Sequence, residues 1–263
     1  MTLGAAMLSI LCGLLWAGLD AARKGLAARV AALPLVAALT AAQTPILATW
    51  LAIEGLPVLD PRYALAGGGA VLLNIFALWM LVRAVAIAPL SLTIPLLSLT
   101  PVLTVLASIP MLGELPSTMQ GAGIALVVVG AFSLGGGEKV TIVDEAEGRA
   151  LRRAALKGRL LMIGVATLWA ITGPVDKIAL GYASSSFHAT VVSGGIALGL
   201  FSLLLLRRQL TAFAPLRKEV PLFSLAAVFG AAALGVQLLA IQLTLVSLVE
   251  AIKRAVGMVA AVL

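Results

Sequence analysis

Cysteine, histidine and charge are what this chain has least of. Its one cysteine, Cys12, excludes an intrachain disulfide and any multi-cysteine metal site, and its one histidine, His188, excludes a histidine cluster. Only 11% of the 263 residues are charged, where a soluble domain carries about a quarter. A water-facing surface of normal size cannot be built from so few. The acids are scattered with no Asp-rich box, and no Ser/His/Asp set is legible around His188. That disfavours a membrane enzyme such as a prenyl- or phospho-transferase. No ATP-binding loop is present, and neither a cofactor nor a metal is expected. The stretch Met1 to Leu19 has no basic n-region, and Cys12 follows Leu11 rather than a small residue, so neither a signal peptide nor a lipoprotein cleavage site is read there.

What fills the chain is apolar. Hydrophobic residues make up 62% and the mean hydropathy is +1.14. A bilayer core needs roughly 20 consecutive apolar residues per helix, and nine spans of that kind can be read. They are Leu3–Leu19, Val30–Leu51, Tyr63–Val82, Ala88–Leu112, Thr118–Leu134, Gly158–Thr172, Ser186–Leu206, Pro221–Ile241 and Leu245–Leu263. The expected fold is an all-α integral membrane protein, its helices packed through small residues. The formal charge of +7 would suggest nucleic acid in a soluble protein. Here the basic residues lie in short loops between spans, so the partner they imply is the lipid bilayer and not nucleic acid.

The two halves of the chain resemble each other. Leu15-Trp16-Ala17 followed by Lys24 in span one matches Leu168-Trp169-Ala170 followed by Lys177 in span six, with a Trp-to-Lys spacing of eight in both. Ala84 to Ser91 lines up with Ala240 to Ser247; the offset is 153 at the first match and 156 at the second. Between the halves lies a charged segment that follows Gly135-Gly136-Gly137. The expected organisation is a first repeat at 1–137, a solvated linker at 138–157 that could hold a short interfacial helix, and a second repeat at 158–263. Five spans is an odd number, so the second copy must enter the bilayer inverted. Such a repeat, with a site between its halves, is the architecture of secondary transporters. The second copy stops before a counterpart of Glu114, so the expectation is a ten-helix plan with the tenth helix missing, either truncated or an unusual nine-helix variant.

Loop charge gives an orientation. Odd-numbered loops hold Arg23, Lys24, Arg29, Arg83, Lys139, Arg149, Arg152, Arg153, Lys157, Arg159, Arg207, Arg208, Arg217 and Lys218, whereas even-numbered loops hold Arg62 and Lys177. The positive-inside rule places the odd loops in the cytoplasm and the N-terminus outside.

Gly113-Glu114-Leu115-Pro116-Ser117, followed by Gln120, Gly123 and Gly130, resembles the end-of-repeat signature of EamA-type carriers of the drug/metabolite transporter superfamily. The run from Pro89-Leu90-Ser91 to Thr100-Pro101-Val102 and the paired Leu-Trp-Ala segments fit the same family. The resemblance implies a ten-helix carrier with one central cavity lined from both repeats and alternating access. It also implies both termini inside, against the charge count, which is followed here. Lys253-Arg254 in span nine is similar to the pair by which the triose-phosphate translocator branch grips phosphate. The same pair is found in bacterial EamA-type carriers, so the likeness points to an anion.

Lys253 and Arg254 also stand out physically. Lys253 lies roughly 12 Å into span nine at about 1.5 Å per residue, and a cation near a helix centre costs about 2.5–3.5 kcal/mol on insertion scales. Glu250, three and four positions earlier, is the plain structural partner; the other reading is that the pair faces a cavity and binds a substrate anion. Lys177 is expected in the same membrane half, completing a basic cluster, and Lys24 at the opposite face. Asp20 and Asp176 are the natural partners of those lysines. Trp16 and Trp169 are either packing residues or walls for substrate stacking. Asn74 and Gln237 are read as interhelical hydrogen bonds, Gly195 and Gly199 as a close-packing pair, and Glu114 as a cap and interface residue. Pro89, Pro95 and Pro101 are expected to kink helix four. The function these residues imply is secondary transport of a small anionic or zwitterionic solute, driven by an ion gradient or by exchange, in the plasma membrane of a prokaryote. The alternative is a non-transporting structural or regulatory membrane protein.

Overall fold

A chain in hydrocarbon has to satisfy its backbone internally, and helices do so within one segment. The computed structural model describes residues 2–88, 93–134 and 145–262, and these residues form nine α-helices and two 3-10 segments with no strand. The helices are α1 (Leu3–Ala27), α2 (Ala32–Glu54), α3 (Tyr63–Ile87), α4 (Thr100–Leu112), α5 (Thr118–Leu134), α6 (Glu145–Ala179), α7 (Ser185–Leu206), α8 (Val220–Leu243) and α9 (Val246–Val262). Short 3-10 segments precede α4 (Ile94–Leu99) and α8 (Leu210–Lys218). Seven stretches are long and apolar enough to cross a membrane; α4 counts among them together with its 3-10 lead-in, while α5 offers the apolar stretch Thr118–Ala131 and α9 has 17 residues.

Two boundaries differ from expectation. Helix four is not one kinked helix: Pro95 and Pro101 each stand at the first turn of a separate segment, where a missing N–H costs nothing. Pro89, the third proline of that run, lies outside the described residues, as do Leu90, Ser91 and 135–144 of the glycine run and linker. The rest of the linker, from Glu145 to Lys157, is not a separate element but the first part of the 35-residue α6. Its alanines, arginines and leucines are strong helix formers, so the helix continues through the charged stretch into the apolar one.

Sequence neighbours touch little, and the extensive contacts run between the halves. Helix α1 packs on α8 and α9, α3 on α6 and α7, α2 on α7 and α8, and α4 on α6 and α9. These pairings recur when each helix is exchanged for the one five places along. The α1–α8 pair becomes α6–α3, α1–α9 becomes α6–α4, α2–α8 becomes α7–α3, and α2–α7 and α4–α9 return themselves. At the α2–α7 contact the Ser193 hydroxyl donates to the Thr40 carbonyl at 2.9 Å, across a separation of 153 residues, the same as that between Trp16 and Trp169.

Close approach rests on missing side chains. A Cβ on Gly195 would meet Val71 at 2.8 Å and one on Gly199 would meet Ile75 at 2.4 Å, so the expected close-packing pair is where α7 nests on α3. Asn74 corrects the other packing expectation, since its amide donates to the Ala70 carbonyl of its own helix. Overpacking a tight contact costs about 1–3 kcal/mol. Gly195→Leu is therefore expected to lower the melting temperature of the purified protein in detergent, whereas Gly123→Leu, at a position with nothing within reach, leaves it unchanged.

Candidate functional site

The Gly113-to-Ser117 motif builds one membrane face. Gly113, at φ +69°, ends α4 in the left-handed conformation that favours glycine. Ser117 and Gln120 then start α5 as a reciprocal capping pair: the Ser117 N–H donates to Gln120 Oε1 at 2.8 Å and the Gln120 N–H to Ser117 Oγ at 3.4 Å. Glu114, freed from capping, reaches across to other helices. One oxygen accepts from Lys177 Nζ at 2.6 Å and the other from the Val246 N–H that opens α9, at 3.0 Å. Lys177 also donates to the Thr244 carbonyl at the end of α8, 2.8 Å away. One carboxylate and one ammonium thus join α4, α6, α8 and α9.

Lys177 therefore does not share its partners with Lys253 and Arg254. It stands where α9 begins; Lys253, seven residues after Val246, lies about 10 Å further along that helix. Asp176 pairs with His188 rather than with Lys177, and Asp20 pairs with Arg23 rather than with Lys24. Lys24 is exposed near the end of α1. On the Lys177 face, exposed Asp60 accepts hydrogen bonds from Arg62, which hold its carboxyl below the ordinary carboxylate range.

Deeper in, α9 is inserted against α1, α8 and α4. Lys253 Nζ donates to Glu250 Oε1 at 2.5 Å and to Gln237 Oε1 of α8 at 3.2 Å. The same Gln237 oxygen accepts from Trp16 Nε1 at 2.8 Å, and the Lys253 ammonium stands 5.4 Å from the centre of the Trp16 ring. Arg254, one residue on and about 100° around the helix, turns to α6, with its guanidinium carbon 6.0 Å from the centre of the Trp169 ring. The two repeat-mate tryptophans each face one of the two cations. Lys253 is 14% and Glu250 7% exposed at the side chain, so this charge is desolvated and answered. Arg254 is not answered in the same way: among the described residues it has no acidic partner, and its buried Nε has no hydrogen-bond acceptor.

Two features escaped the sequence reading. Gln237 is interhelical as expected, but it also positions both Trp16 and Lys253. His188, fully buried, lies between Tyr63 Oη at 3.0 Å and Asp176 Oδ1 at 3.1 Å. The short turn between α6 and α7 folds Asp176 back onto His188 twelve residues on, and that hairpin spacing was the available signal. This buried chain ties α3, α6 and α7 together beside the Ser186 hydroxyl, which donates to Glu54 of α2 at 2.6 Å.

The helices and their apolar surfaces define an integral membrane protein. The chain belongs to the EamA-like transporter family, whose model matches residues 3–135; its members are membrane transporters of the drug/metabolite superfamily rather than enzymes. A crystal structure described only as that of a protein superposes with a TM-score of 0.71 at 17% identity, over 100% of this chain and 87% of its own. At that identity the likeness is one of fold. No curated protein matches the sequence.

Partners in one ion pair couple energetically by roughly 0.5–3 kcal/mol. Lys177→Met and Glu114→Gln are each expected to lower thermal stability. The double variant should lose less than the sum of the two, as read from denaturation of all four proteins in one detergent.

Proposed function

We propose that the protein is a secondary transporter that carries a small anionic or zwitterionic organic solute by alternating access between two inverted five-helix repeats. The observation that carries the anion is Arg254, a cation in the apolar interior with a buried Nε and no acidic partner among the described residues. A guanidinium so placed is ready for bidentate contact with a carboxylate or phosphate. Lys253 supplies a second cation, Gln237 fixes its height, and Trp16 and Trp169 are the flat walls on either side. Lys177 belongs to the approach to this site, with Lys24 its counterpart at the far face.

The exchange symmetry of the helix pairings supports the inverted repeat, as does the Thr40–Ser193 contact between positions one repeat apart. All nine helices are read as spans, and the excess of basic residues on odd loops orients those loops to the cytoplasm of a prokaryotic plasma membrane. An ion gradient or exchange for a second solute supplies the drive.

Arg254→Ala and Lys253→Ala are expected to abolish uptake in proteoliposomes screened by counterflow against small carboxylates and organic phosphates. Arg254→Lys keeps the charge without the planar fork and should retain only part of the rate. Insertion should stay normal in all three, because removing or preserving one charge does not hinder partitioning. Uptake that survives Arg254→Ala at full rate refutes the site. Orientation is checked separately: the sole native cysteine, Cys12, is buried, so a cysteine placed at Ala155 should react with an impermeant maleimide only after cells are opened.

A further inference from the structure

Glu250 is the acid whose circumstances change most if an anion occupies the site. Its carboxylate is 7% exposed and, among the described residues, holds no partner other than Lys253. Glu114, one helical turn nearer the start of α9, differs in having both Lys177 and the Val246 N–H. An anion that engages Arg254 and draws Lys253 toward itself leaves the Glu250 carboxylate buried with its cation gone. A buried carboxylate without a partner is the form that desolvation disfavours most.

We propose that Glu250 then takes a proton, so that each anion bound brings one proton with it and a proton gradient can drive transport. This rests on the reading of Lys253 and Arg254 as an anion site. The proton comes from the bulk solution on the side from which the anion enters, relayed by the water that enters with it, and resides on a Glu250 oxygen as a neutral carboxylic acid. When the anion leaves, Lys253 returns to Glu250 and the proton is released to the same side. A monoanion is thereby carried without net charge movement. In the anion-free state Lys253 and Glu250 neutralise each other, which keeps the proton off until substrate arrives.

The surroundings leave few other groups to accept that proton. Helix α1 contributes the Cys12 thiol, which faces Lys253, Glu250 and Trp16. Helix α8 contributes the Gln237 amide and carries no ionisable side chain between Val220 and Leu243; α4 and α5 carry none at all. Helix α6 contributes Lys177, already bound to Glu114, and α9 itself contributes Arg254.

Inorganic sulfate is the probe, since its charge is constant between about pH 5 and 8 and any proton taken up belongs to the protein. Calorimetric titration of the purified protein with sulfate, in buffers of different ionisation enthalpy, should show uptake of about one proton. Affinity should rise up to about tenfold for each pH unit lowered. Glu250→Gln removes the internal competitor, so it should bind sulfate about tenfold more tightly at pH 7.5, with no proton uptake and no pH slope. Cys12→Ser should behave as wild type. Sulfate binding without proton uptake, or with equal uptake in Glu250→Gln, overturns the coupling and leaves the anion site standing. A loss of uptake in Cys12→Ser likewise overturns the assignment to Glu250. Sulfate bound by neither wild type nor Glu250→Gln, or bound undiminished by Lys253→Met/Arg254→Met, overturns the anion site as well. If Glu250→Gln does not fold, the proton count and pH slope of the wild type decide alone.

Discussion

Adjacent residues on a helix point about 100° apart, so Lys253 and Arg254 are presented to different neighbouring helices. A cation held in a low-dielectric interior must be met by a carboxylate, a dipole, an aromatic face or water. Lys253 is met by the first three, drawn from its own helix, from α8 and from α1. Among the described residues, Arg254 is met by Trp169 of α6 alone. The middle of the molecule is organised around this difference. Helix α9 must lie between α1 and α6, and α8 must approach closely enough for Gln237 to touch both Lys253 and Trp16. Gly13 permits the first of these approaches, since a Cβ there would fall 2.7 Å from Val256 of α9.

The two membrane faces are fastened differently. At the Lys177 face the links are buried or half-buried: Glu114 with Lys177 and Val246, Asp176 with His188 and Tyr63, Ser186 with Glu54. At the other face, among the described residues, the helix-end ion pairs are Arg29 with Glu219, between α1–α2 and α8, and Asp20 with Arg23 within α1. Arg29 and Asp20 are largely exposed, while their partners Glu219 and Arg23 are 14% and 27% exposed at the side chain. Among the described residues the denser set of buried polar links is thus at the Lys177 face.

Hydropathy made the helices legible because the bilayer demands length and apolarity together, and each of the nine spans read from sequence holds a helix. What escaped were details decided by competition or by packing. Pro95 and Pro101 divide helix four because each proline suits a first turn better than a helix interior. Helix α6 begins at Glu145 because helix propensity ignores the edge of the apolar stretch. Asp176 was assigned to its sequence neighbour Lys177 and Lys177 to the basic cluster of span nine, while Asp20 was assigned to Lys24 although Arg23, one position nearer, holds it. Lys177 instead meets an acid 63 residues earlier in the chain, and nothing local announces that meeting. Lys253 with Glu250, at a spacing of three on one helix, was legible. That the oxygen of Gln237 would be shared with Trp16 was not.

The interleaving of the halves bears on how the chain is made. Helix α1 enters the membrane first, yet the helices it packs against, α8 and α9, begin more than 190 residues later. Until they arrive, the small-residue seam of α1 lacks its partners, whereas α3 and α2 meet α6 and α7 sooner. The packing of α1 must then be a late event. The chain order implies a stage in which α1 is inserted without its partners, with its seam glycines still uncovered. Quality-control proteases of the bilayer would meet the protein at that stage, and the residues that shorten it are those at the seam of α1, Gly13 and Gly18 among them, not those that touch the solute.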